Sequence, residues 1–275
     1  INAGVEVTNV GHFSSMICNG GDANSSAMSK LTIHGGVFSG GINTVKNDEL
    51  GELTITDGSF SNASQCVIMN WHKANISGGT FETNEGAETV LFTAKYHDTR
   101  AIGKLTLTGG TYICKTDQAL LCDRYNNDEK YLGTASIAGG TFSRQPDAKY
   151  IAAGYEAKNN GNGTWTVSEK TGVTLVAQVG VNKYVSLPAA LAAAKSGDTV
   201  KLVQDITPTE RIEVTGDKNI TIDLAEKKIT STADVAIVNN GTGKLTITGN
   251  GTVDTSSSAN DKNIAIWARI GSIDI

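Results

Sequence analysis

The sequence predicts an all-β chain: a right-handed parallel β-helix, a hairpin and short-helix junction, and the start of a second parallel β-helix. Three observations carry that expectation. Glycine supplies 31 of 275 residues while proline supplies 3 and aromatics 6%, a balance that suits many short strands joined by glycine turns rather than a helix bundle. One eight-residue phrase recurs five times, as LTIHGGVF, LTITDGSF, ANISGGTF, LTLTGGTY and ASIAGGTF, starting at residues 31, 53, 74, 105 and 135. The resulting spacings of 22, 21, 31 and 30 define a unit of about 21 residues that sometimes carries an inserted loop, which is solenoid behaviour.

Within each phrase the first and third positions are apolar (Leu31/Ile33, Leu53/Ile55, Ala74/Ile76, Leu105/Leu107, Ala135/Ile137) and the second and fourth are mostly Thr, Ser or Asn. Alternation of period two predicts a strand with one buried face. The Gly-Gly or Asp-Gly that follows permits a sharp bend, after which Phe38, Phe60, Phe81, Tyr112 and Phe142 return inward as an aromatic column. A second apolar phrase lies between the copies: SMICN ending at Asn19, CVIMN at Asn70, TVLFT at Thr93 and ALLCD at Asp123. Asn19, Asn70, Thr93, Asp123 and, in the second half, Asn239 thus recur at one corner and predict an internal hydrogen-bonded ladder. Such units close a core only by stacking on one another as parallel strands. A leucine-rich repeat would need a Leu/Asn consensus and a helix in each unit, and a propeller blade about twice the period.

After Phe142, GYEAKNNGNGTWTV (residues 154–167) reads as a hairpin that closes the first stack. SLPAALAAAKSGD then reads as a short capping helix, with Pro188 near its start and Gly197 just past its end. Strands resume at Asn219 (NITIDL), Ala236 (AIVNN), Lys244 (KLTITGNGTV) and Ile264 (IAIWARI). The expected division is residues 1–168, a β-helix with its hairpin, and residues 173–275, a second β-helix module behind the helix. The opening INAGVEVTNV lacks an initiator Met and the regions of a signal peptide, so the chain reads as a piece of something longer.

The phrases ISGGTFS, GYEAKNNGNGTWTV and VNKYVSLPAALAAAKSGDTVKLVQD resemble the large pectin-lyase-like β-helix proteins of gut Firmicutes surfaces and similar segments of their phages. The resemblance covers nearly the whole chain and implies an extracellular or cell-surface setting, or a virion surface. That superfamily includes lyases, hydrolases, adhesins and tailspikes, and no catalytic motif of any member transfers residue by residue.

The 28 acidic and 23 basic residues leave a net charge of −5 without a dense Lys/Arg block, which disfavours nucleic acid and anionic membranes as partners. No apolar run approaches the ~20 residues of a membrane span. The outward columns Thr32/His34, Thr54/Thr56, Asn75/Ser77, Thr106/Thr108 and Ser136/Ala138 hold no carboxylate and make a poor catalytic cleft; His34 reads as a solvated strand residue. The corner after the second phrase is richer. Asn70-Trp71-His72-Lys73, TAKYHDTRAIGK from Thr93 and DRYNNDEKYLGT from Asp123 bring Trp71, His72, Tyr96, His97, Asp98, Arg100, Arg124 and Tyr125 within about three rungs, with Asp128 and Glu129 beside them. Aromatic rings beside charged and amide groups suit sugar binding, although inserted loops are polar by ordinary composition.

The expected function is an extended, non-enzymatic surface module whose partner is a glycan or host surface component. The alternative is a polysaccharide-degrading lyase or glycoside hydrolase, or a phage tailspike depolymerase, with its site in the loops of residues 93–134. No cofactor is implied, and no Cys/His spacing suggests zinc. Cys18, Cys66 and Cys122 fall in apolar phrases and read as buried thiols, with Cys18 and Cys122 too far apart to pair; Cys114 reads as the more exposed one.

Overall fold

The computed structural model describes residues 1–275 apart from residues 12, 22–26, 98–100, 116, 118 and 259–262. Two compact units divide the chain, Ile1–Glu169 and Lys170–Ile275. Each is a stack of parallel strands, the architecture of a parallel β-helix.

Three sheets run the length of the first unit. The threonine sheet joins Ser29–Ile33, Gly51–Ile55, Lys73–Ile76, Lys104–Leu107 and Thr134–Ile137, all parallel. The register superimposes the first phrase on itself, so that Ile33, Ile55, Ile76, Leu107 and Ile137 form one buried column. After the bend, Val37–Gly40, Ser59–Ala63, Thr80–Thr83, Thr111–Ile113 and Gly140–Phe142 make the aromatic sheet, preceded by Glu6–Asn9. Phe38, Phe60, Phe81, Tyr112 and Phe142 are fully buried there, with successive ring centroids 4.9, 4.8, 5.1 and 5.0 Å apart and the rings nearly parallel. That spacing is the strand spacing, so each ring stacks on the one a turn below. The bend itself requires glycine: a Cβ on Gly78 would run into the Thr56 carbonyl oxygen of the preceding rung.

The third sheet, the ladder sheet, joins Ile17–Asn19, Asn43–Asn47, Cys66–Asn70, Thr89–Thr93 and Leu121–Cys122. Its inward residues include Val45, Ile68, Leu91 and Leu121, and its corner carries the predicted ladder with one member that the second phrase did not reveal, Asn47. The outward residues are Cys18, Lys46, Met69, Phe92 and Cys122 in register. Burial of all three thiols in the apolar phrases is therefore corrected. Alternation turns Cys18 outward into solvent and leaves Cys122 half-exposed, while Cys66 faces in; Cys114, expected to be more exposed, is buried. All four are free thiols.

The strands Tyr155–Asn159 and Trp165–Glu169 form the hairpin read from the sequence, and Trp165–Glu169 pairs antiparallel with Gly140–Phe142 to close the aromatic sheet. The second unit opens with a hairpin that the sequence reading did not separate out, Ala177–Val179 with Asn182–Tyr184, turning at Gly180. The helix Leu187–Ala193 follows, its Ser186 Oγ accepting a hydrogen bond from the Ala189 N–H at 3.2 Å. It ends before the predicted Gly197 because Ala194 is already extended, and it buries Leu187, Ala190 and Leu191 on the unit's core. Below it, Val200, Ile222 and Ile247 stack in one column and Ile212, Ile237 and Ile266 in another.

Candidate functional site

The ladder fixes the corner from which the inserted loops depart. Asn19 Nδ2 donates to Asn47 Oδ1 and Asn47 Nδ2 to Asn70 Oδ1, each at 2.8 Å, and Asn70 Nδ2 donates to Thr93 Oγ1 at 3.0 Å. Each amide also caps loop carbonyls, such as Gly51 and Lys73 for Asn47. A buried side-chain amide without such partners would cost free energy, so the column pins every turn at the same height. Thr93 and Asp123 then launch the two long loops from neighbouring rungs.

Those loops meet. Ala94 and Arg124 each bridge Leu132, and the Lys95 N–H donates to the Tyr131 carbonyl at 3.1 Å. Trp71 lies at the centre of the rings they bring together: Phe92 at 4.9 Å, Tyr96 at 5.0 Å and Tyr125 at 5.4 Å, all edge-to-face. His97 packs on Tyr96 at 4.5 Å, Tyr125 at 5.1 Å and Tyr131 at 5.8 Å, from a backbone at φ 46°. The cluster sits on the outer face of the ladder sheet, apart from the main core.

Beside it runs a groove of about 700 Å³. Trp71, Tyr96 and Tyr125 form one margin, Lys46 and Met69 belong to the floor, and Ser15, Asn43 and Gln65 form a polar row. In that row Ser15 Oγ donates to Asn43 Oδ1 at 3.1 Å and Asn43 Nδ2 to Gln65 Oε1 at 3.3 Å. Phe13, almost wholly exposed, stands at the groove's first rung. Lys46 Nζ pairs with Asp48 Oδ2 at 2.6 Å, and Glu49 is 3% exposed.

The eight predicted residues therefore separate. Tyr96 and Tyr125 reach the groove with accessible surface, and His97 buttresses both. Trp71, expected as an exposed stacking platform, is only 4% exposed because the rings of Phe92, Tyr96 and Tyr125 cover it; it supports the margin. His72 Nδ1 lies 3.2 Å from the Gly51 carbonyl oxygen, outside the ring cluster. Arg124 lines a different cleft. Asp98 and Arg100 lie outside the described residues. Sequence reasoning missed Phe13, Lys46, Asp48, Glu49 and Met69; Met69 occupies the outward position of the second phrase, a signal that alternation offered, and Lys46 stands beside it in register on a strand which that phrase did not reveal.

The other cleft, about 650 Å³, opens at the last rung of the first unit. Lys149 Nζ donates to Asp123 Oδ2 at 2.8 Å, and Arg124 Nε lies 3.4 Å from Asp123 Oδ1. Burial pushes the Asp123 carboxyl up, but hydrogen bonds from Lys149 and Tyr150 outweigh it and hold it below the usual carboxylate range. Tyr150 is pushed up to about 12, first by burial and then by bonding to the Asp123 carboxylate. Asp123 sits where the ladder would continue, so this ion pair terminates it.

On the threonine sheet His34 is exposed, its Nδ1 3.2 Å from Thr56 Oγ1. A carboxylate does stand on that outer face, one position before the columns considered in the sequence: Glu52, held by Lys73 at 3.3 Å and Lys30 at 3.4 Å. Among the described residues, no group of three or more His, Cys, Asp or Glu is arranged to hold a metal ion, and no helix is long and apolar enough to cross a membrane. No family model, curated protein or solved structure matches the chain.

Proposed function

We propose that the chain is a non-enzymatic, glycan-binding module of a bacterial surface, in the style of the pectin-lyase-like proteins it resembles, or of a virion. The observation that supports this best is the meeting of two inserted loops at one corner, where Tyr96 and Tyr125 flank a groove that Ser15 and Gln65 also line. Stacking faces beside hydrogen-bonding groups are what a sugar ring needs, its faces being apolar and its rim polar. A rigid stack holds that pair out from an attachment point at little conformational cost.

A polysaccharide-degrading enzyme is the second reading, favoured by the Asp123, Lys149 and Tyr150 cluster in the last-rung cleft. Its protonation argues the other way. At neutral pH Asp123 is ionised and Lys149, raised by its bonds to Asp123 and Tyr150, is protonated, so neither a carboxylic acid nor a free amine is on hand.

A glycan-array screen of the chain, with reducing-end release measured on every hit, separates the two. We expect binding without release, and loss of binding in Tyr96→Ala and Tyr125→Ala with the strand signal in circular dichroism retained. Release of new reducing ends, abolished by Asp123→Asn, would establish the enzyme reading instead.

A further inference from the structure

Chemistry of a different kind sits at the tip of the hairpin that closes the first unit. Five asparagines of the chain precede glycine: Asn19, Asn160, Asn162, Asn240 and Asn250. Such a pair can cyclise, because glycine has no side chain to obstruct attack by its own amide nitrogen on the neighbouring side-chain carbonyl carbon. The reaction needs a backbone free to rotate, an uncommitted glycine N–H and donors for the oxygen that becomes charged.

Three of the five are held away from it. Asn19 is a buried rung of the ladder, and the Gly241 N–H after Asn240 donates to the Val214 carbonyl and to Asn239 Oδ1. Gly251, after Asn250, lies so close to the rung below that an added Cβ would fall 2.4 Å from Leu224 Cβ. The other two share the exposed tip between Tyr155–Asn159 and Trp165–Glu169, where Gly161 and Gly163 stand in open space.

Hydrogen bonds divide that pair. Asn159 Oδ1 takes the Gly161 N–H at 2.8 Å, and the Asn160 amide nitrogen is tied to the Thr164 and Thr166 hydroxyls at 2.8 and 3.0 Å. The Gly163 N–H has no partner among the described residues. Asn162 Oδ1 accepts from the Thr164 hydroxyl at 2.6 Å and from the Thr164 N–H at 3.2 Å, two donors aimed at the oxygen on which negative charge would build.

We infer that Asn162 is a site of self-catalysed deamidation, with Thr164 holding the oxyanion. The Gly163 nitrogen gives its proton to solvent and bonds to Asn162 Cγ; the Cγ–Nδ2 bond then breaks and ammonia leaves a succinimide. Water opens that ring at either carbonyl, to aspartate or to isoaspartate, and the tip gains a carboxylate.

The test is incubation of the whole chain at mildly alkaline pH in heavy-oxygen water, followed by peptide mass spectrometry, beside a synthetic peptide of residues 157–166. The peptide, which lacks the hairpin's hydrogen bonds, should convert Asn160 and Asn162 at similar rates. The folded chain should convert Asn162 at least about tenfold faster than Asn160, the effect of one or two hydrogen bonds, with the label in the new carboxylate. Thr164→Val should slow Asn162 about three- to tenfold, and Thr164→Ser, which keeps the hydroxyl, should match the parent. Conversion led by Asn160 or Asn250, or an Asn162-to-Asn160 ratio no greater than the peptide's, overturns the inference. A Thr164→Val rate equal to the parent's overturns the role of Thr164.

Discussion

Single side chains set the terms on which this stack holds together. Asn47 is fully buried, accepts from Asn19, and donates to Asn70 and to the Gly51 and Lys73 carbonyls. Asn47→Ala abandons several buried partners at about 1–3 kcal/mol each, so urea unfolding should register a loss of at least about 2 kcal/mol. A loss below about 0.5 kcal/mol would mean that the ladder is not structural. Asp123 makes a pH-dependent contribution. Because its folded pKa lies below its ordinary value, its stabilisation is complete above the unfolded value near 3.9 and is lost as the pH falls from there toward the folded value. Unfolding at pH 6 and pH 3 should therefore show a larger acid loss for the parent than for Asp123→Asn, and equal losses would contradict the ion-pair assignment. Glu52 and Asp254, also held low by lysines, titrate in both proteins and cancel in that comparison.

At the scale of strands and loops, what was legible in the sequence follows from what repeats. The isoleucine and phenylalanine columns were readable because alternation and the glycine bend recur in every copy, and a one-residue slip would expose the whole set. Asn47 escaped notice because its strand, NTVKN, has less apolar character than its neighbours, yet it takes the same place in the register. The meeting of the inserted loops was predictable from their shared corner. The burial of Trp71 was not, since it depends on how Tyr96 and Tyr125 fold back over it. That burial reverses the expected outcome for one variant. Trp71→Ala should cost about 3–5 kcal/mol and lower the thermal midpoint by several degrees, as a large ring lost from a packed cluster does. An unchanged midpoint would place Trp71 in solvent and restore it as a binding platform.

For the whole molecule, the repeat predicts two cores that depend on local stacking, and each unit has a hydrophobic cluster of its own. The segment from Glu169 to Thr174 is exposed and free of regular structure after its first residue. Limited proteolysis should cut there first and leave both pieces resistant, whereas first cuts inside the strands of either stack would contradict the division. The stacked strands were readable because a solenoid writes its contacts into its sequence period, whereas the hairpin of residues 177–184, which does not repeat, was not. The site was readable only in part, because the outer face of one sheet is assembled from single residues of five rungs.

The central claim is that this outer face holds a glycan and leaves it intact, and hydrogen–deuterium exchange with and without the tightest-binding oligosaccharide tests it most directly. The account predicts protection confined to residues 13–15, 43–49, 65–71, 94–97 and 124–131, with the oligosaccharide recovered unchanged. Protection on the threonine sheet at residues 30–34, 52–56 and 104–108, protection at the cleft of residues 144–150, or recovery of shortened sugar would contradict it.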